Sequence, residues 1–165
     1  LEDGKIVGWY QGRSEFGPRA LGNRSILMSP KYKENKDIIN EKVKHREEWR
    51  PFAGVILKDY LQEYFEEGID SPYMLYSQTV KEDKRDKIPA ITHVDNTCRI
   101  QTVSEGILSE LLEEYHKISG VPVLLNTSFN DSGEPIVETP QDAIDAFLNM
   151  NIDYLVMNNT IIGKN

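Results

Sequence analysis

The 165-residue chain is 39% hydrophobic and 28% charged, with a formal net charge of -8 and one cysteine. That profile fits one soluble globular domain. It excludes an intrachain disulfide, and the lone thiol suits a reducing, cytoplasmic compartment. No apolar run nears the ~20 residues that span a bilayer, and no secretory signal pattern opens the chain.

Lys5 to Tyr10 (K-I-V-G-W-Y) is predicted as a strand after a turn at Asp3-Gly4. Gly12 to Ser25, G-R-S-E-F-G-P-R-A-L-G-N-R-S, then crowds three arginines, three glycines and a proline into one loop. Pro18 suits the first position of a helix. Pro18 to Leu21 is therefore expected to open a helical turn whose free N–H groups face an anion. Arg13, Arg19 and Arg24 would add guanidinium forks for phosphate or carboxylate. The plainer alternative is a surface turn with solvated arginines.

Ile26 to Met28 reads as a short strand, and Tyr32 to Lys44 as a helix with Ile38, Ile39 and Val43 on one face. Phe52 to Leu57 reads as a buried strand, Leu61 to Phe65 as a short helix, and Tyr73 to Val80 as a strand. Lys81 to Lys87 is expected to form a solvated hairpin loop. Ile91 to Val94 and Arg99 to Val103 look extended. Ile107 to Ile118 carries a helical apolar stripe ended by Gly120. Val121 to Leu125 is the strongest strand. Thr139-Pro140-Gln141-Asp142 starts the last helix with an N-cap, a first-position proline and a first-turn acid. Tyr154 to Met157 and Thr160 to Ile162 complete the sheet. Strands and helices interleave irregularly, which gives an α/β or α+β class with a mixed sheet.

Charge is unevenly placed. Five of the seven arginines fall between Arg13 and Arg50, while acids gather in runs such as Glu63 to Glu67 and Glu110 to Glu114. A local basic site on an acidic body suits a small anionic ligand better than a polymer. Lys44 to Phe52 (K-H-R-E-E-W-R-P-F) places cations before an apolar strand, either around an anion or as an ordinary helix end favoured by the dipole. In His93 to Gln101, alternation puts Asp95, Thr97, Arg99 and Gln101 on one face. His93 with Asp95 makes too small a set for a metal, so a hydrogen-bonded structural histidine is expected, and Cys98 is expected to be a buried free thiol. Asn126 to Asn130 (N-T-S-F-N) follows the best strand, where open α/β sheets bind ligands. It offers neutral donors and acceptors, or else forms a plain polar turn.

The motifs G-R-S-E-F-G-P-R-A-L-G-N-R-S, K-H-R-E-E-W-R-P-F-A, H-V-D-N-T-C-R-I-Q-T-V and G-V-P-V-L-L-N-T-S-F-N, with G-E-P-I-V-E-T-P, together resemble the C-terminal domain of the NodU/CmcH-type O-carbamoyltransferases. The resemblance runs from about Lys5 to Lys164. It implies a single YrdC-like domain over residues 1–165, a twisted mixed sheet flanked by helices with a basic, concave nucleotide site. It also implies carbamoyl-adenylate formation from carbamoyl phosphate and ATP, with Mg²⁺ as counter-ion and no metal tightly held by this domain. Transfer to a hydroxyl acceptor would belong to an N-terminal, metal-binding ASKHA-type domain that this chain lacks.

Carried onto this sequence, the resemblance gives Lys44 and Arg50 to carbamoyl phosphate. Ser128 and Asn130 go to the nucleotide phosphates or the carbamoyl amide, Arg19 and Arg99 reach phosphates, and Asn126 joins the same set. Glu15, Arg24 and Arg46 form a second tier. Such chemistry works by positioning and charge neutralisation, so no nucleophile is assigned. Asn96 and Cys98 stand where glycine and alanine are expected, and His45 where an aromatic residue is common. The competing readings are an RNA-binding module on the same fold and a non-catalytic scaffold. The net charge of -8 argues against nucleic acid.

Overall fold

A computed structural model describes every residue except Arg46, Glu48 and Asn165. Eight strands form one mixed sheet. They are β1 (Val7–Tyr10), β2 (Arg24–Met28), β3 (Ala53–Leu57), β4 (Ser77–Thr79), β5 (Thr97–Val103), β6 (Val123–Ser128), β7 (Tyr154–Met157) and β8 (Thr160–Gly163). Their order across the sheet is β4-β5-β3-β6-β2-β1-β7-β8. Among the described residues only β3 with β5 and β1 with β7 are parallel. The helices are α1 (Glu34–Ile39), which continues as a π-helical stretch Asn40–Lys44, α2 (Leu61–Tyr64), α3 (Ile107–Ser119) and α4 (Pro140–Asn149). This is the mixed, helix-flanked sheet expected, and among the described residues no helix is long and apolar enough to cross a membrane.

The centre of the sheet is set by apolar runs covered on both faces. Every residue of β1, β2 and β3 is buried. Fully burying a Leu or Ile side chain stabilises by about 1.5–3 kcal/mol, so Ile26, Leu27, Ile56, Leu124 and Leu125, all at 0% exposure, fix the order β3-β6-β2. The ends of α3 and α4 follow the local code. Gly120 takes φ 72° and caps α3 with its N–H on the His116 carbonyl. Thr139 and Asp142 close a reciprocal capping box at α4, with Pro140 at the start.

Four expectations fail. Pro18 to Leu21 forms no helical turn. The predicted strand from Tyr73 contracts to Ser77–Thr79, because Met74 takes φ 56° and Tyr73, Leu75 and Tyr76 face solvent. Ile91 to Val94 is a turn region. Lys81 to Lys87 does lie in the connection between antiparallel β4 and β5, but Glu82–Lys87 is 3₁₀ helix, tied down by Lys84 on Glu63 at 2.6 Å.

The capping box yields a pH prediction. Backbone N–H donation from Thr139, its hydroxyl contact, and the Glu138 N–H together hold the Asp142 carboxyl below its ordinary pKa. A lowered folded pKa stabilises above the unfolded value and is lost as pH falls through the folded one. The stability advantage of the wild type over Asp142→Asn should be complete at neutral pH and decline progressively as pH falls below about 4 in urea titrations. Thr139→Ala should lower stability by about 1 kcal/mol.

Candidate functional site

The arginine-rich stretch is the excursion between β1 and β2, two antiparallel neighbours whose register places Tyr10 opposite Arg24. Its backbone is organised by an internal anion. Oε1 of Glu15 accepts the N–H groups of Leu21 (2.6 Å), Asn23 (2.7 Å) and Arg24 (3.3 Å). Within the turn expected over Pro18 to Leu21, the carboxylate takes the Leu21 N–H, so that donor is not offered to a ligand. Gly22 sits at φ 108°, and a Cβ there would meet Leu108 of α3 at 2.4 Å. Its carbonyl accepts from Trp9 Nε1 at 2.8 Å. The loop thus has no room for a side chain at its seat on α3.

A second loop leaves β6. The Lys44 side chain is buried, and its ammonium donates to the carbonyls of Ser128 (2.5 Å) and Asn130 (2.8 Å), to Asn130 Oδ1 (2.9 Å) and to Ser128 Oγ (3.3 Å). Ser128 Oγ in turn donates to Asn130 Oδ1 at 2.6 Å. Hydrogen bonds from a charged donor contribute about 1.5–3 kcal/mol, so Lys44 orders this loop strongly. Residues placed in separate segments by the sequence, Lys44, Ser128 and Asn130, do meet.

Between the two loops lies a small hollow of about 60 Å³, lined by Pro18, Arg19, Ala20, Pro51, Phe52, Ala53, Met74, Arg99, Asn126, Thr127 and Ser128. The register explains the gathering. Asn126 pairs with Ala53 across β6 and β3, and one step from the Gly54–Ile100 pair brings Ala53 beside Arg99. Small Ala53 therefore separates two long polar side chains in one row and leaves a gap between them. Among the described residues no carboxylate lines the hollow. Arg19 and Arg99 have no hydrogen-bond or ion-pair acceptor for their side chains among the described residues, and Arg99 Nε is buried without one. Burial first, and then the charge of Arg19, pull the Arg99 guanidinium below its ordinary pKa. It remains a cation all the same.

The other predicted residues fall elsewhere. Arg50 is exposed and pairs with Glu47 at 3.1 Å, next to Pro51 on the rim. Arg24 is buried and saturated. Its guanidinium donates to the carbonyls of Gln11, Gly12, Asn23 and Glu138 and stacks 3.6 Å from the centre of the Tyr10 ring. Arg24 and Glu15 hold the loop's frame. Arg46 lies outside the described residues. His93 is hydrogen-bonded to the Phe52 carbonyl at 3.2 Å, and among the described residues no cluster of three or more His, Cys, Asp or Glu could hold a metal. Burial pushes the Cys98 thiol up to about 12, so it is an inert core group. Asn96, in place of the expected glycine, takes φ 64°, a conformation asparagine tolerates. His45 likewise takes φ 44° and contacts Asp131 at 3.0 Å. Ala53 and Met74 were not anticipated. Cross-strand register identifies Ala53, and nothing in the sequence marks Met74.

A family model described as Carbamoyltransferase C-terminus matches residues 1–164. The chain is 48% identical over 99% of its length to nodulation protein NolNO of Sinorhizobium fredii, covering 25% of that protein. It is 46% identical over 99% of its length to NolO of Bradyrhizobium diazoefficiens, covering 31%, and 45% identical over 81% of its length to nodulation protein U of Rhizobium tropici, covering 24%. The chain thus spans between about a quarter and a third of these relatives. Among solved structures it superposes on full-length HypF in its phosphate- and nucleotide-bound form with a TM-score of 0.65 at 19% identity, covering 99% of this chain and 20% of that one. At that identity the likeness is one of fold.

Glu15→Ala leaves three backbone N–H groups without their acceptor and should lower stability by about 1–3 kcal/mol. Limited proteolysis should then cut between Gly12 and Gly22 faster than in the wild type, and Glu15→Gln, which keeps an oxygen, should recover much of the protection. Wild-type cleavage in Glu15→Ala would show that the carboxylate does not hold the loop.

Proposed function

This chain belongs to the carbamoyltransferase C-terminus family, and on that premise we propose that its hollow binds carbamoyl phosphate and activates it with ATP. In the balanced reaction, carbamoyl phosphate, ATP and water become carbamoyl-adenylate, orthophosphate and pyrophosphate. Transfer of the carbamoyl group to a hydroxyl acceptor falls to the remainder of the longer polypeptides that this chain resembles.

One observation carries the reading. Arg19 and Arg99 line the same hollow with no acid in its lining, and Arg99 is half-buried there. Arg19 is exposed and Arg99 half-buried. Burial and then the charge of Arg19 weaken the hold of Arg99 on its proton where no acid among the described residues answers them, which an anion bound between the two would reverse. A phosphate or phosphoanhydride supplies that charge and matches the guanidinium fork. Lys44 lends further positive charge through the 128–130 loop it holds, and Arg50 stands at the rim for the more exposed nucleotide phosphates. Ser128 lines the hollow beside them, while the Asn130 amide is taken up within its loop by Lys44, Ser128 and the Glu134 carbonyl. The likeness in fold to HypF, a protein solved with phosphate and nucleotide bound, is in keeping with this. Mg²⁺ would travel on the nucleotide, since the lining gives it no carboxylate. The protein's part is electrostatic: it places charge where the phosphoanhydride bonds shift their electrons.

Isothermal titration with carbamoyl phosphate, and with ATP and Mg²⁺, tests this directly. Arg19→Ala and Arg99→Met should each weaken carbamoyl phosphate about tenfold or more, the loss of one charged hydrogen bond. Arg99→Met should also leave thermal stability unchanged or raise it, because it removes a half-buried cation facing another. A folded, wild-type sample that binds neither ligand defeats the proposal.

A further inference from the structure

The hollow lies where β3 and β5 begin. A larger cleft of about 580 Å³ opens where the same parallel pair ends. Leu57 and Val103, the last residues of the two strands, are register partners, and both line it. Four residues of strand, roughly 13 Å, separate Leu57 from Ala53 in the hollow. Open sheets place ligand crevices beyond the carboxyl ends of parallel strands, and small-molecule sites run from about 300 to 1,000 Å³.

One wall is a polar face of α3. Leu108, Leu112 and Tyr115 bury the apolar stripe of that helix. Ser109, Glu113 and His116 each stand one residue further on, at i, i+4 and i+7, and form a second stripe along the cleft. The 3₁₀ turn Lys58–Tyr60 that follows β3 supplies another wall. The Tyr60 and His116 rings meet edge to face with centroids 4.6 Å apart and join the two.

Pairing leaves the charge of the lining unbalanced. Lys58 and Lys117 are both engaged by acids outside the lining, Lys58 by Asp70 and Lys117 by Glu114 at 2.6 Å. The acids of the lining, Asp59 and Glu113, have no side-chain hydrogen bond or ion pair among the described residues. Two exposed acids alone would be an ordinary solvated surface. Ser109 is a separate mark. It is 4% exposed, and its hydroxyl has no hydrogen-bond partner among the described residues, yet its Oγ keeps accessible surface. A helical serine commonly bonds back to the carbonyl four residues earlier. This one instead keeps an open acceptor in the wall of the cleft, one turn from Glu113.

We infer that this cleft binds a short aliphatic polyamine. An ammonium group offers donors only, and the open groups of the lining are two carboxylates and a hydroxyl that accept. One ammonium sits on Glu113 and Ser109 and a second on Asp59. The methylene chain lies over Leu57, Val103 and the Tyr60 ring, whose face also attracts a cation. An anion would meet two open carboxylates and two lysines already engaged. A neutral diol would leave both carboxylates uncompensated. The site is independent of the carbamoyl phosphate reading.

Amide-shift titration of the chain with putrescine and spermidine at low salt tests it. The control is the diol that replaces each putrescine amino group by hydroxyl. Both amines should shift residues 57–60 and 103–117, and the diol should not. Glu113→Gln and Asp59→Asn should each weaken putrescine about two- to fivefold, the scale of an exposed ion pair. Ser109→Val should weaken it by at least about threefold. Glu110→Gln removes the same charge from the same helix outside the lining, and should leave affinity within about twofold. Glu113→Gln and Asp59→Asn are surface changes and carry the test if Ser109→Val does not fold. Shifts spread over the acidic surface, an equal loss in Glu110→Gln, diol binding as tight as putrescine, or no binding at all overturns the assignment.

Discussion

Arg19 and Arg99 share one hollow with Asn126 and Ser128 and no acid, in a chain whose acids outnumber its Lys and Arg by 27 to 19. Placing a carboxylate there would have been the simple way to stabilise the fold. Its absence leaves the half-buried Arg99 beside the exposed Arg19 with no counter-charge among the described residues. β6 lies between β3 and β2 in the middle of the sheet, so its last residues have little freedom. The two loops that roof the hollow are each anchored by a charged side chain turned inward.

Those two anchors are complementary. Glu15 is an anion that gathers three backbone N–H groups in the β1–β2 loop. Lys44 is a cation that gathers oxygens of the 128–130 loop. Each consumes backbone polarity that would otherwise face the hollow. What remains lining it is Arg19, Arg99, Asn126 and the Ser128 end of β6, among small and apolar residues. Electrostatic preorganisation of this kind removes the reorganisation that a flexible site would undergo on binding charge.

Much of this was legible beforehand. The strands at the centre of the sheet, the α3 stripe and the α4 cap follow from local pattern, because hydrophobic periodicity and capping act over a few residues. The convergence of Lys44, Arg99, Asn126, Ser128 and Asn130 was expected only through resemblance, since register, not spacing, brings β5, β3 and β6 together. The Pro18 turn was misread because propensity cannot see that Glu15, three residues earlier, draws in the Leu21 N–H and, beyond the expected turn, those of Asn23 and Arg24. Ile91 to Val94 looked extended on apolar content alone, yet the segment turns through Asp95, which accepts from the Thr97 N–H at 3.0 Å, and Asn96 at φ 64°.

Arg24 and Arg99 show where sequence reading reaches its limit. Both are arginines on strands, Arg24 opening β2 and Arg99 within β5, and both lie in motifs that resemble the same family. Arg24 has its donors filled by four backbone carbonyls and its face covered by Tyr10. Arg99 has a buried Nε with nothing to donate to. Residue type is identical and burial alone would favour Arg24, so neither separates ligand binding from scaffolding. Counting acceptors does, because a buried donor that the protein has already satisfied has nothing left to offer a ligand, and one it has left open is a cost that a new acceptor would offset. By the same count Asn126, with its nitrogen engaged twice and its oxygen not at all, belongs with Arg99.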